Sequence, residues 1–543
     1  MRRTAVLGVV LAATAWLAAA TPKFYDDDPI WVEHDTQDTS TIKPWKLDVI
    51  ADVTLNLFTK LGDHTPNVRA RNVNTVDEVP DSSWFTNRAG FRRLTPEEVA
   101  EGPHTTTGPA PGRWTITSSK IEGVTPGFFM RDSTGQGWLV KVDPRGYRRM
   151  ATGTEVVVTK LFWALGYHVT ESHIAYLRRD QLAIDDGAKF EPPGGKPRPM
   201  TIADITTLLE RLDVEPDGSY RVLAGKLVRK LGEFRFFGTN PDDPNDLVPH
   251  EHRRELRGYG TFAAWVNHVD SHAHNTLDAL VNDNGRAFVR HNLQDFSSTL
   301  GAASVGPREY WEGHEYIVEG REALKQMPAF GFYFPQWHTE KVYEARSVGR
   351  LPLENANFNP ELWKPRVPIQ AFLRARADDK FWAAQKLVAL TDDLLRAAIR
   401  TGEFADPRSE AVLVKVLADR RDAIARAYLP AINPIADAAL DGSGVLTFRN
   451  AAVDAGVAKP PAGYRAVWFA FDNVTRDTRR VGEASGPTTR LSLTSQVPEA
   501  AEFVKLEINA VGGAPQSWET PVHAYFRRLG TGWRLVGFER MPE

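Results

Sequence analysis

The chain has no cysteine. That excludes disulfides, thiolate metal sites and cysteine nucleophiles together, so stability has to come from burial. A dominant charge of one sign is lacking as well: 66 Lys and Arg stand against 69 Asp and Glu, for a net charge of −3. Such balance predicts no general attraction to nucleic acid or to an anionic membrane. Long apolar runs are missing with one exception, the stretch from about Ala5 to Ala20, which falls short of the roughly 20 residues that span a bilayer. Arg2 and Arg3 precede it, and Ala18, Ala19 and Ala20 close it, the layout of a secretory signal peptide cut after Ala20. The sequence therefore predicts a leader over residues 1–20, no integral membrane segment after cleavage, and a periplasmic or secreted product.

What is present is the material of a globular chain, with 42% hydrophobic and 10% aromatic residues. Its 543 residues exceed one ordinary core, so two or three domains are expected. Residues 21–110 read as a helical and irregular extension. They start acidic, carry Trp45, Leu47, Ile50, Val53, Leu55 and Leu57 at helical spacing over 44–61, and end in a Gly/Pro/Thr-rich connector. Strand signals begin at Trp114 and continue at 128–131 and 137–142, around the turn Asp132-Ser133-Thr134-Gly135. Val157, Leu161 and Leu165 then predict a helix that Gly166 ends. Strands return near 174–184, a helix is expected over 251–267, and helical periodicity runs through 368–428. Beyond Asp441 come short strands, at 466–471, 490–493, 503–508 and 533–538, which predict a β-sandwich over 441–543. Its aromatics Trp468, Phe469, Phe471, Tyr525, Phe526 and Trp533 are read as core.

The chemistry concentrates in Asn267-His268-Val269-Asp270-Ser271-His272-Ala273-His274-Asn275, followed by a hairpin and by Gln294-Asp295-Phe296-Ser297. Phosphoryl transfer asks a protein mainly to position a hydroxyl and to neutralise phosphate charge. One carboxylate near the acceptor, with an amide and a second carboxylate on Mg²⁺, can do that. His268, Asp270 and Asn275 have the spacing H-x-D-x-x-x-x-N of a kinase catalytic loop. Upstream, Lys141 ends the strand Trp138-Leu139-Val140-Lys141, and Glu155 lies early in the next helix. A strand lysine oriented by a helix glutamate is the other half of such a site.

With these residues the region 111–440 resembles an atypical protein-kinase-like fold, closer to HipA-type, spore-coat-type and phosphoinositide-kinase-like proteins than to classical protein kinases. The hairpin over 127–141 is especially similar to those atypical small lobes. The resemblance implies an α+β, two-lobed domain, with a small lobe over 111–185 and a large lobe over 186–440. It implies ATP with Mg²⁺ or Mn²⁺: Lys141 on the phosphates, Glu155 pairing it, Asp270 as catalytic carboxylate, and Asn275 and Asp295 on metal. The nucleotide loop lacks a full glycine motif and offers only Gly123 and Gly127. A serine, Ser297, replaces the glycine expected after Asp295-Phe296. The acceptor stays open among protein, glycan and lipid head group, and nucleotidyl transfer stays open beside phosphoryl transfer.

Two other readings use the same sequence. Asp270-Ser271-His272-Ala273-His274 resembles the D-x-H-x-H opening of metal-dependent amidohydrolases, in which His272 and His274, on a strand, would share a metal ion. A non-catalytic extracytoplasmic binding protein on a kinase-like fold is the third reading.

Overall fold

The computed structural model describes residues 21–542 apart from 121–124, 193–194, 284, 320–336, 338–339, 344, 354–357 and 494–496. It is a mixed α+β structure. The first sheet takes its strands from β1 (Trp114–Ser119), β2 (Gly127–Arg131), β3 (Gly137–Lys141), β5 (Ser172–Leu177), β6 (Leu182–Phe190), β7 (Arg198–Pro199) and β8 (Tyr220–Lys226), in the order β5-β8-β3-β2-β1-β6-β7. The β2–β3 hairpin closes as its turn residues predict. Asp132 Oδ1 accepts from the backbone N–H groups of Thr134 and Gln136, and Gly135 supplies a φ of 88°. Alternating inward residues such as Trp114, Ile116, Phe128, Met130, Trp138 and Val140 form a core under this sheet with Ile205 and Leu209.

The helix α3 (Met150–Leu165) lies behind that sheet and is buried at every position except Trp163. Gly166 ends it at φ 118°. A second sheet has the order β4-β11-β10-β9, from β4 (His168–Val169), β9 (Lys230–Gly232), β10 (Thr276–Asp283) and β11 (Arg286–Leu293). The helix Arg254–Val266 occupies the span where periodicity predicts one. The stretch 368–428 is four helices, Gln370–Leu373, Ala377–Val388, Asp392–Arg400 and Arg408–Tyr428, where the sequence reads as one helical run. Breaks fall where local chemistry competes: Thr391 caps the third helix through its side chain, and Pro407 stands immediately before the fourth.

The C-terminal part has an antiparallel sheet of three strands, Ile435–Leu440, Val445–Asn450 and Arg490–Ser492, and one of five strands between Gly463 and Glu539. Its first strand lies before residue 441, because Ile435–Leu440 pairs with Val445–Asn450. Trp468, Phe471, Tyr525 and Phe526 are buried, whereas Phe469 and Trp533 are half-buried. One hydrophobic cluster runs without interruption from Val79 through the helices to Phe538.

Residues 21–110 are joined to both ends of this core. Val79, Trp84, Phe85, Ala89, Leu94 and Val99 pack within it, the last from the short helix α2 (Pro96–Glu101). Phe24 is 4% exposed and sits among Phe471, Phe503, Tyr525 and Val536. The helix expected over 44–61 is confined to α1 (Val49–Phe58), started by the Asp48 side chain. Its inward side is mixed, with Val53 and Leu57 half-buried against the main core beside two polar residues. Asp52 and Asn56 face inward, with Asp52 3.3 Å from Arg235, while Ile50 and Phe58 are 81% and 67% exposed. Trp45 stays outside the helix, because its indole donates to the Glu233 carbonyl and its ring occupies the space that Gly232 leaves open. Among the described residues no helix is long and apolar enough to cross a membrane.

Candidate functional site

A cleft of about 730 Å³ opens between the first sheet and the segment that joins Arg254–Val266 to the β10–β11 hairpin. Strands β2, β3 and β8 supply Phe129, Leu139 and Leu223, and Leu277 faces them from β10. Lys141, Glu155, Asp270, Asn275 and Asp295 all line this one space, and so do His272 and His274.

Lys141 is positioned by the strand register, at the end of β3 opposite Gly127. Its Nζ lies 3.2 Å from Glu155 Oε2 and 2.9 Å from Asp295 Oδ1. Burial works against the lysine's charge, yet the adjoining Asp295 and Glu155 carboxylates raise its pKa above the ordinary value. Burial likewise raises Glu155, with Lys141 opposing it. Asp295 goes the other way: desolvation is outweighed by Lys141 and by a hydrogen bond from Ser297, so its carboxyl sits below the usual range. Ser297, at the position where the classical pattern has glycine, thus donates to Asp295 Oδ1 at 2.7 Å.

Asp295 adopts φ 57° and ψ 62°, a left-handed conformation uncommon for aspartate. The short helical turn Phe296–Ser298 follows, and Phe296 stacks on Phe162 of α3 with ring centres 4.8 Å apart. The same ring lies 5.4 Å from His268. One aromatic side chain therefore ties the helix that carries Glu155 to the loop that carries Asp270.

That loop is built locally. Asn267 ends the preceding helix in a left-handed conformation, and the Asn275 side-chain N–H donates to the Asp270 carbonyl at 2.7 Å, closing residues 270–275 into one turn. His268 is wholly buried, accepts or donates at Nδ1 with the Tyr259 hydroxyl at 2.7 Å, and is pushed down to about 3 by burial. It supports the loop from behind. Asp270 Oδ1 meets His272 Nε2 at 3.2 Å and Arg366 Nη1 at 3.3 Å. Burial raises the Asp270 pKa, but His272, Arg308 and Arg366 together hold it far below the ordinary carboxylate range.

His272 and His274 are not on a strand. They lie before and within the short helical turn Ala273–Asn275 with ring centres 6.2 Å apart. Both ring nitrogens of His272 are engaged inside the loop, Nε2 with Asp270 and Nδ1 with the His274 backbone N–H. Among the described residues no group of three or more His, Asp or Glu is arranged to hold a metal ion. The carboxylate–amide set of Asp295 and Asn275 is of a different kind. The Asn275 amide nitrogen is occupied by the loop, which leaves its oxygen, and Asp295 has a second carboxylate oxygen beyond the one facing Lys141 and Ser297. Two hard oxygen ligands supplemented by phosphates and water suit Mg²⁺, which seldom takes an all-protein cage.

Of the two glycines named for a nucleotide loop, Gly123 lies outside the described residues. Gly127 lines no part of the cleft wall; it is a strand residue whose missing Cβ makes room for the Val140 carbonyl oxygen. Sequence spacing did not find Arg366, Arg308 and Glu312. Arg308 Nη1 and Arg366 Nε each lie 2.7 Å from Glu312 Oε1, so the three form an ion-paired chain that ends on Asp270. No protein-family model matches the chain, and no curated protein matches it either.

Proposed function

We propose that the chain is an atypical kinase-like phosphotransferase: the region 111–440 forms two lobes, and the cleft between them binds ATP with Mg²⁺ or Mn²⁺ and passes a phosphoryl group to an acceptor hydroxyl. The observation that carries this reading is the position of Lys141. It bridges Glu155 and Asp295 in the same cleft that Asp270 and Asn275 line. A lysine held charged between two carboxylates is ready to exchange one of them for phosphate oxygens.

In this reading Asn275 and Asp295 hold the metal ion, which when bound neutralises charge on the phosphates. Asp270 orients the acceptor. The acceptor oxygen forms a bond to the γ-phosphorus as the bond from that phosphorus to the β–γ bridging oxygen breaks. ADP leaves with the electron pair, and the hydroxyl proton, directed at the Asp270 carboxylate during transfer, is released to water. Phe129, Leu139, Leu223 and Leu277 offer the apolar surface a base requires. A predicted leader over residues 1–20 places the activity outside the cytoplasm, so the nucleotide has to be supplied there.

The test is a thermal-shift and γ-labelled ATP transfer assay on the chain from residue 21. A metal- and nucleotide-dependent shift that is lost in Asp295→Ala and weakened in Lys141→Ala supports the reading, and its absence from the wild type sinks it. Nucleotide binding without label transfer would instead assign the chain to the non-catalytic binding class. Bound zinc lost on His272→Ala and His274→Ala would favour a hydrolase.

A further inference from the structure

We infer that Arg366 selects the acceptor of this site: it occupies the Asp270 carboxylate until an acceptor with an anionic group beside its hydroxyl engages the guanidinium. The inference rests on the phosphotransfer reading of the cleft. Arg366 is fixed at its backbone, whose N–H donates to the Val269 carbonyl at 2.7 Å and whose carbonyl accepts from Ile317 at 2.8 Å. One edge of its guanidinium is fixed as well. Nε and Nη2 both lie 2.7 Å from Glu312 Oε1, and Glu312, with its side chain 2% exposed, is held in turn by Arg308.

The contact with Asp270 is the loose one. At 3.3 Å it exceeds the roughly 2.7–2.9 Å of a strong charge-assisted bond. The Arg366 side chain is also 37% exposed and lines the cleft, as Asp270 does. A guanidinium with one edge clamped and the other facing solvent is suited to a phosphate or carboxylate, which it binds in a planar fork. The arrival of such a group draws Nη1 from Asp270 Oδ1, leaves His272 Nε2 as the partner of that oxygen, and opens the Arg366 side of the carboxylate to the acceptor hydroxyl. Water and neutral alcohols offer Arg366 no charge, so Asp270 stays engaged and idle hydrolysis of ATP stays slow. The acceptor class that follows is a hydroxyl compound bearing a neighbouring phosphate or carboxylate.

The experiment follows ADP release from Mg-ATP by the chain from residue 21, alone and with glycerol, glyceric acid or glycerol 3-phosphate. A nucleotide thermal shift is recorded in parallel. Wild type should show the shift, a low basal rate, and a rise with glycerate or glycerol 3-phosphate but not with glycerol. The two anionic probes separate carboxylate from phosphate preference. Arg366→Gln should keep the shift and raise the basal rate by on the order of tenfold, part of what a positioned base contributes, and lose the response to both anions. Arg366→Lys keeps the charge without the fork and should retain a partial response. If the shift is present and wild type treats glycerol and its anionic relatives alike, Arg366 does not read the acceptor. Wild-type behaviour in either Arg366 variant would exclude that role equally. Absence of any nucleotide shift in wild type instead removes the phosphotransfer reading, and the inference goes with it.

Discussion

At the scale of single residues the decisive fact is that Glu155 is buried with Lys141 as its adjoining cation. Removing one partner of a buried pair leaves the other charge uncompensated. Lys141→Met should therefore lower stability in urea unfolding near neutral pH by about 3 kcal/mol. The penalty should depend on pH in a definite direction. Burial already raises the Glu155 pKa, and loss of Lys141 raises it further. The folded variant then holds a proton that the unfolded chain releases, so its stability falls as pH rises through the folded value. The deficit should be larger at about pH 8 than at about pH 5; an equal deficit at both would mean that Glu155 is not the source. Lys141, Glu155, Asp270, Asn275 and Asp295 were legible because each is marked by a neighbouring pattern: a strand end, a first helical turn, a fixed spacing or a hairpin exit. Arg366 was not. It lies 96 residues beyond Asp270 in the chain, and its role depends on Glu312 and Arg308, which no local pattern connects to it.

At the scale of elements, ends and turns were more legible than faces. The β2–β3 hairpin and the stop at Gly166 follow from turn and cap chemistry, which acts over a few residues. Gly166→Ala should cost about 2 kcal/mol or more in thermal or urea unfolding. A Cβ there faces a φ of 118° and collides with the Phe85 ring. A loss near zero would mean that the helix end relaxes freely. Faces depend on what packs opposite, which local pattern does not report. In α1 the helical period holds for Val53 and Leu57, which pack against the core, but Asp52 turns inward beside Arg235 and Ile50 is left in solvent. The continuous helical pattern over 368–428 likewise concealed its breaks, since leucine and alanine continue the period on either side of Thr391 and Gly402.

At the scale of the whole molecule the mixed α+β class and the antiparallel C-terminal sheets were legible, whereas the joining of the chain's two ends was not. The segment around Phe24 is acidic and aperiodic, and only the assembled C-terminal strands give it a place. There Lys23 bonds Glu539 at 2.6 Å, and the Phe24 and Tyr525 ring centres are 5.1 Å apart. Phe24→Ala should destabilise the chain by about 3 kcal/mol, read as a lowered urea midpoint with the slope unchanged. If the midpoint does not move, the strap is not part of the cooperative unit.

The seat for Phe24 has a consequence in time. Phe24 leaves the ribosome about 450 residues before Phe471, and Phe503, Tyr525 and Val536 follow later still. At about 5–20 residues per second the nascent segment waits roughly 20 seconds or longer for its partners. No nascent chain that stops short of these strands can seat Phe24, and until they are made its ring stays open to other partners.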